Sequence, residues 1–189
     1  MPAHRCVRCS VGGIIDTTLE MDRVTSYTTR TATLADVPAI ASIYNQGIAD
    51  RVATFETDPR TPTQIAEWLS PGSLVVVTEI RNDVVAFAAS FPYSTRPCYA
   101  GIGEFSVYTE RDHHGRGAGS AVRAALIQAA RTANLYKLTS RVFPENAASR
   151  ALLKRFGFAE IGIHRRHGRL DGVWRDCVIV ELLIDEVRR

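Results

Sequence analysis

The sequence predicts one α+β domain, because helical and extended segments alternate along a chain of ordinary globular composition. With 189 residues, 46% of them hydrophobic and 23% charged, the chain fits one domain and differs from disordered sequences. Apolar residues recur at helical spacing in some segments and form short β-rich runs in others. The predicted order is strand, two helices, three strands, helix, strand, helix and two strands.

The first half of this order begins with a strand over 26–33, which is rich in Thr and Tyr. Thr33 stands three residues before Asp36, and this spacing predicts a capping box at the start of a helix. A second helix is predicted after Thr61, where Pro62 fits the first helical position. Three strands follow, over 74–80, 84–91 and 102–109.

The second half contains the longest predicted helix. Arg81-Asn82-Asp83, between the first two of those three strands, is a hairpin signal. An Ala-rich segment over 117–133 places its apolar residues on one helical face. The remaining predicted elements are a strand over 137–143, a helix over 146–156, and closing strands over 159–164 and 174–184.

Charge and hydropathy exclude several classes of function. The net charge of +3 is too small to indicate nucleic-acid binding. No apolar run reaches the roughly 18 residues that a membrane-spanning helix needs. Lys137 and Lys154 are the only lysines among the 23 basic residues. Because Arg favours planar anions such as carboxylate and phosphate, the composition predicts a small anionic ligand.

Residues 1–27 are predicted to be a flexible or peripheral N-terminal extension, which leaves residues 28–185 as the domain. Cys6 and Cys9, close to His4, have metal-type spacing, but no second pair of ligands with matching spacing follows. We therefore predict no metal site. The segment also lacks the layout of an export signal, which predicts a cytoplasmic protein.

The most informative segment joins the strand over 102–109 to the helix over 117–133. It carries Gly115, Gly117 and Gly119 in alternation immediately before the helix. Glycines let the backbone approach a ligand closely, and the free N–H groups at a helix N-terminus bind anions. The sequence therefore predicts a phosphate-binding loop. It lacks the Lys of a Walker loop and lies too late in the chain for a dinucleotide fingerprint.

At this loop the sequence resembles the GNAT superfamily of N-acetyltransferases. His114-Gly-Arg-Gly-Ala-Gly119 is similar to the Q/R-x-x-G-x-G/A acyl-CoA loop of that superfamily, with His where Gln or Arg is usual. Asn146-Ala-Ala-Ser149 and Arg155-Phe-Gly-Phe158 resemble its next helix and terminal Gly-Phe. Over about residues 27–185, further motifs resemble the phosphinothricin and arsinothricin N-acetyltransferase branch: Tyr44-Asn45, Phe55-Glu56-Thr57, Glu104-Phe-Ser-Val-Tyr and Asp171-Gly-Val-Trp-Arg-Asp.

This resemblance implies the GNAT acyl-CoA N-acyltransferase fold, a three-layer α/β/α sandwich around a mixed, splayed central sheet. It implies acetyl-CoA as co-substrate and an amino-acid-like small molecule as acceptor, with no metal, nucleic acid or membrane as partner. Homologues of this branch are homodimers, so we expect a homodimer here.

The resemblance also implies which residues bind acetyl-CoA, through the strand that splays, the glycine loop and the following helix. These residues are Val107, Tyr108, Thr109, Gly115, Arg116, Gly117, Ala118, Gly119, Ser120, Asn146 and Ser149. Asn146 is equally well placed to be a helix N-cap, and the two roles are compatible.

Glu104 corresponds to the proposed catalytic carboxylate of the branch. Partial burial on its strand would raise its pKa toward that of a useful base, whereas a solvated residue at the strand edge is the alternative. The Tyr that protonates the departing thiolate in many members is Leu153 here, so the general acid is not identified. The resemblance assigns acceptor binding to Tyr44, Phe55, Arg96, Tyr99 and Asp171.

Two expectations concern the C-terminal region. Trp174 is expected in the core and not at a ligand. Near the C-terminal loop, a solvated face is expected for four basic residues, with acceptor binding as the alternative: Arg165, Arg166, His167 and Arg169. The expected function is acetyl transfer to the α-amine of a glutamate-like amino acid or toxin of the phosphinothricin, methionine sulfoximine or arsinothricin type, by direct attack. The alternatives are a protein or peptide N-terminal acetyltransferase and a non-catalytic acyl-CoA-binding module.

Overall fold

The computed structural model describes residues 26–184, so Cys6 and Cys9 lie outside the described residues. The predicted order of strands and helices is confirmed. The strands are β1 Thr28–Thr31, β2 Leu74–Ile80, β3 Asp83–Pro92, β4 Ile102–Thr109, β5 Lys137–Val142, β6 Ala159–Leu170 and β7 Val173–Leu183. The helices are α1 Val37–Asp50, α2 Pro62–Ala66, α3 Ala118–Thr132 and α4 Ala147–Arg155. The division of the chain at residue 28 stays a prediction.

Local sequence signals account for several of these boundaries. The predicted capping box forms before α1, where the Asp36 carboxylate accepts a hydrogen bond from the Thr33 amide at 2.7 Å. Arg30 binds the same carboxylate with two nitrogens, at 2.7 and 2.8 Å, and lowers the pKa of Asp36 to about 2. The predicted hairpin turn also forms, with Arg81 and Asn82 at φ values of 53° and 71°.

The seven strands form one mixed sheet in the order β1-β2-β3-β4-β5-β7-β6. All neighbouring strands are antiparallel except β4 and β5, which are parallel. Alternate residues of each strand point to opposite faces. Val77 and Phe87 pack with α1 and α2 on one face, whereas Leu138 and Val180 pack with α3 and α4 on the other. The three-layer α/β/α sandwich is thereby confirmed.

The sheet opens between its two central strands. The ladder between β4 and β5 has three pairs and ends where Glu104 pairs with Thr139. Beyond that point the strands diverge, and the Ser140 hydroxyl donates a hydrogen bond to the Phe105 carbonyl at 2.7 Å. The expected splay of the central sheet is confirmed by this early end of the ladder.

The C-terminal hairpin differs from the expectation in two ways. Strand β6 continues to Leu170, so the segment containing Arg165 and Arg169 is a strand and not a loop, although its basic residues are exposed as expected. The expectation for Trp174 is wrong, since its side chain is 49% exposed and the Arg169 guanidinium lies 4.5 Å from the ring centre. The physical reason is that β7 pairs with β5 only from Val178 onward, so the tip of the hairpin extends beyond the sheet.

Among residues 26–184, the structure contains no helix with the length and apolar character required to cross a bilayer.

Candidate active site

Glu104 lies at the point where the two central strands separate. Its carboxylate forms an ion pair and a hydrogen bond with Arg141 of β5, and its side chain is 32% exposed. The neighbouring residue Phe105 points into the core on the α3 side, so Glu104 points to the opposite face. The carboxylate is therefore accessible from the face that helices α1 and α2 only partly cover.

A cavity of about 330 Å³ borders Glu104 on that face, and we call it the acceptor-side cavity. Tyr93, Tyr99, Arg141 and His164 contribute to its lining. The Arg96 guanidinium lies 5.4 Å from the centre of the Tyr99 ring, at the range of a cation–π contact. The cavity therefore combines aromatic walls with basic side chains and with the carboxylates of Glu104 and Glu181.

A second, narrower cavity of about 60 Å³ occupies the splay, and we call it the donor-side cavity. It is lined by strand, helix and loop residues that include Val107, Tyr108, Arg123, Asn146, Ser149 and Leu153. The Phe105 carbonyl faces β5, because it accepts the Ser140 hydroxyl. Backbone groups two residues apart along a strand point the same way, so those of Val107 and Thr109 also face away from β3.

The glycine loop places free amides at the start of α3. Gly115 and Gly117 adopt φ values of 72° and 97°, a left-handed conformation that favours glycine. Helix α3 begins at Ala118, so the amides of Ala118 and Gly119 have no helical carbonyl one turn earlier to which they could donate. The Ser120 amide donates to the Gly117 carbonyl at 3.0 Å, and the Arg116 amide to the His113 carbonyl at 3.4 Å.

This arrangement fits the diphosphate of a coenzyme A thioester, because a helix N-terminus without acidic residues in its first turn favours an anion. Gly119 comes close to β4, since a Cβ added there would meet the Thr109 hydroxyl at 3.1 Å. The His114 ring bonds the Thr109 carbonyl at 2.8 Å, which ties the loop to the end of the strand.

Asn146 caps helix α4, as the sequence predicts. Its side-chain oxygen accepts a hydrogen bond from the Ser149 amide at 3.1 Å. Its side-chain nitrogen donates to the Val52 carbonyl at 3.2 Å, which ties the start of α4 to the loop after α1. Both Asn146 and Ser149 line the donor-side cavity, so the capping role and a contact with the donor are compatible.

Four of the five predicted acceptor residues do not line the acceptor-side cavity: Tyr44, Phe55, Arg96 and Asp171. Tyr44 is 7% exposed, its ring centre lies 4.9 Å from that of Tyr108, and burial raises its pKa. Phe55 packs edge-on against Phe143 at 4.9 Å, under the C-terminal hairpin. Asp171 at the hairpin tip forms an ion pair of 3.2 Å with Arg51 at the end of α1. Their roles in acceptor binding stay predictions.

Sequence reasoning missed several polar residues that the fold brings to these cavities, and three of them are charged or titratable side chains used below. Arg141 and His164 line the acceptor-side cavity, and Arg123 lines the donor-side cavity. The burial of Arg123 could have been predicted from the sequence. It stands four residues before Ile127 and seven before Ala130, on the helical face that α3 buries. An arginine in a buried helical stripe is unusual. Within residues 26–184, no group of three His, Cys, Asp or Glu side chains is arranged to hold a metal ion.

Comparison with known proteins agrees with this geometry. The sequence model of the Acetyltransferase (GNAT) family matches residues 40–158. The chain is 32% identical over 153 residues to phosphinothricin N-acetyltransferase of Streptomyces coelicolor, covering 77% of this chain and 90% of that protein.

Solved structures agree as well. The crystal structure of ribosomal-protein-alanine N-acetyltransferase from Brucella melitensis has a TM-score of 0.79 at 30% identity, covering 82% of this chain and 99% of that one. The phosphinothricin acetyltransferase (Pat) of Sinorhizobium meliloti, in complex with acetyl-CoA, has a TM-score of 0.77 at 25% identity, covering 83% and 88%. The family match runs from α1 to the end of α4 and includes Glu104, the glycine loop and Asn146. The chain therefore belongs to the GNAT family and is an acetyl-CoA-dependent N-acetyltransferase.

Proposed function

We propose that the chain transfers the acetyl group of acetyl-CoA to the α-amine of a glutamate-like amino acid or toxin of the phosphinothricin, methionine sulfoximine or arsinothricin type. The observation that carries this proposal is the position of Glu104 at the end of the β4–β5 ladder, between the donor-side and acceptor-side cavities. A carboxylate there can reach an amine that approaches an acyl group held in the splay.

The transfer is direct in this proposal. The acceptor amine lies in the acceptor-side cavity and loses a proton to Glu104, either in contact or through one water molecule. The Val107 amide faces the splay and donates a hydrogen bond to the thioester carbonyl, where negative charge develops in the transition state. The amides at the start of α3 bind the diphosphate, and Asn146 and Ser149 contact the pantetheine arm.

The cations around the acceptor-side cavity favour an acidic acceptor. Arg96 stacks on Tyr99 and, among residues 26–184, forms no ion pair. Arg141 is paired with Glu104 when no acceptor is bound. An acceptor carboxylate that binds Arg141 releases Glu104 from this pair, so the base becomes free as the acidic substrate arrives.

The test is thiol release by the purified full chain with acetyl-CoA and a panel of acceptors. Phosphinothricin, methionine sulfoximine, arsinothricin and glutamate are compared with peptides that begin with Ala, and acetylation of the amine is verified by mass spectrometry. We expect turnover with the acidic amino acids and a loss of about 100-fold or more in kcat for Glu104→Gln. Arg96→Ala is expected to raise the acceptor KM by about tenfold with little change in kcat.

Glu67→Gln is the matched control, because Glu67 is exposed in the short turn after α2 and has no role in either cavity. Turnover of Glu104→Gln equal to that of Glu67→Gln would remove Glu104 from the base role. Intersecting lines in double-reciprocal plots are expected for direct transfer, whereas parallel lines would indicate a covalent enzyme intermediate.

A peptide N-terminal acetyltransferase is the second candidate, favoured by the likeness to the ribosomal-protein-alanine enzyme. Turnover of Ala-terminal peptides without turnover of the acidic amino acids would establish that reading. If CoA bound without any acetyl transfer, the chain would be a non-catalytic acyl-CoA-binding module.

We also propose that the chain forms a homodimer through the C-terminal hairpin. Strand β6 is the edge of the sheet, and Ile161 and Ile163 on it are 55% and 59% exposed. An exposed apolar edge strand is a surface that proteins usually cover. Light scattering after gel filtration is expected to give twice the chain mass, and Ile163→Glu is expected to give the monomer. A cytoplasmic location likewise stays a prediction.

A further inference from the structure

Arg123 is a buried cation that lines the donor-side cavity. It lies on α3 and is 3% exposed. Its Nε and Nη1 atoms are buried and have no hydrogen-bond partner among the residues that the structure describes. Its guanidinium carbon lies 5.8 Å from the centre of the Phe156 ring, at the range of a weak cation–π contact.

Burial of the Arg123 guanidinium lowers the stability of the folded protein. Desolvation lowers the pKa of Arg123 from 12.5 to about 10, so the side chain remains a cation at neutral pH without a counter-ion. Buried donors and charges are ordinarily paired, because an isolated one is strongly destabilising. An unpaired cation beside a ligand cavity therefore indicates that its anionic partner arrives with the ligand.

The other side chains of the donor-side cavity do not supply that partner. Arg141 is also a cation and is bound to Glu104. The hydroxyl of Tyr108 is neutral, because burial raises its pKa. Leu153 is apolar and occupies the position where the resembled enzymes carry the Tyr that protonates the thiolate. The anion that forms in this cavity during acetyl transfer is the sulfur of CoA.

We propose that Arg123 binds the CoA thiolate as it leaves the acetyl group, at the step for which many GNAT members use a Tyr at the position of Leu153. This inference rests on the proposed acetyl transfer. The amine lone pair forms the C–N bond to the acetyl carbon, the C–S bond breaks, and its electron pair passes to sulfur. The amine proton passes to Glu104. The guanidinium donates hydrogen bonds to the thiolate, which later takes a proton from solvent.

Arginine acts here as a stabilising cation and not as the proton donor. The guanidinium of arginine keeps its proton in proteins, and a neighbouring anion favours the charged form further. The proton therefore stays on the guanidinium, and the favoured state is an ion pair between guanidinium and thiolate. Because Arg123 is buried, that attraction is screened by water less than it would be at the protein surface.

The test measures the pKa of the CoA thiol bound to the full chain, from the ultraviolet absorbance of the thiolate between pH 5 and pH 10. The desulfo-CoA complex is subtracted to remove the absorbance of the protein. Four proteins are compared: wild type, Arg123→Met, Arg123→Lys and Arg131→Met. Arg131 is the matched control, because it is an exposed arginine on the same helix.

We expect the bound thiol pKa to fall by one unit or more in the wild type and in Arg131→Met. It is expected to stay near the value of free CoA in Arg123→Met and to fall by a smaller amount in Arg123→Lys. By linkage, a one-unit shift means that the enzyme binds the thiolate about tenfold more tightly than the thiol. At pH 9, CoA is therefore expected to bind about tenfold more tightly than desulfo-CoA, and Arg123→Met is expected to lose this preference.

The outcomes separate the two proposals. Failure of the wild type to bind either CoA or desulfo-CoA would overturn the proposed function. Tight binding of both with an unshifted thiol pKa would overturn the role of Arg123 alone. An equal shift of the thiol pKa in Arg123→Met and in the wild type would also overturn the role of Arg123. It would point to Arg141 as the cation that stabilises the thiolate.

Discussion

Replacing Arg123 by Met is expected to make the protein without ligand more stable. Burial lowers the pKa of this guanidinium from 12.5 to about 10, which corresponds to about 3 kcal/mol at roughly 1.4 kcal/mol per tenfold change in the protonation equilibrium. The group is charged in both the folded and the unfolded chain at neutral pH, so this cost is present throughout the range below pH 10. Stability is regained only as the pH rises from about 10 toward 12.5.

Methionine has nearly the length of the arginine stem and no charge, so it keeps much of the packing while removing the desolvation cost. The contact with Phe156 is lost, and the net gain is therefore expected to lie between about 1 and about 3 kcal/mol. The measurement is urea unfolding of the full chain at pH 7 without CoA. Arg131→Met is expected to change the free energy of unfolding by less than about 0.5 kcal/mol, because its side chain is exposed.

Saturating CoA at pH 9 is expected to reduce this difference, because the wild type then gains the anionic partner that it lacks without ligand. A loss of stability of about 1 kcal/mol or more in Arg123→Met without CoA would refute the reasoning. It would mean that the guanidinium is already paired in the folded protein and that its retention has a structural explanation.

Two further predictions concern stability. Asp36→Asn is expected to lose up to about 2 kcal/mol at pH 7, because Arg30 holds the folded pKa of Asp36 at about 2, below the ordinary 3.8. That contribution is complete above the unfolded pKa and disappears as the pH falls toward 2, so urea unfolding at pH 7 and pH 2.5 should show the difference shrinking; a difference that persisted in acid would contradict it. Gly168→Ala is expected to lose about 1 to 3 kcal/mol in thermal unfolding, because the new Cβ would lie 2.8 Å from the Phe55 ring. Gly162→Ala on the same strand is the matched control, because a Cβ added there has no atom within 4 Å. Equal effects of the two substitutions would show that the Phe55 ring moves aside at little cost.

Features determined by residues close in sequence could be predicted from sequence alone. The Arg81-Asn82 turn and the Asn146 cap follow from local backbone preferences, and the structure contains both. The resemblance to GNAT enzymes supplied what local patterns cannot, namely the splay between two strands that lie more than 30 residues apart. Glu104 could be placed in that splay only through the resemblance.

Features determined by tertiary contact could not be predicted. Strand β6 was expected to end at residue 164, because the run from Arg165 to Arg169 lacks an apolar alternation; pairing with β7 extends it regardless. Trp174, expected in the core, lies where the hairpin has passed beyond β5. Arg141 reaches Glu104 across the sheet, and no pattern in either strand indicates that partner.

Because the ladder between β4 and β5 is short, the site consists of two cavities. This division determines which residues can change independently during evolution. Of the residues that line the two cavities, Glu104, Tyr99 and His164 border only one side, and Val107, Asn146 and Ser149 border only the other. Ser140 and Arg141 are shared by both. Under the proposed function, mutations that face only the acceptor-side cavity can therefore change which amine is accepted. The residues that bind the acyl donor stay unchanged. A descendant of this chain can then change its acceptor and keep its acetyl donor.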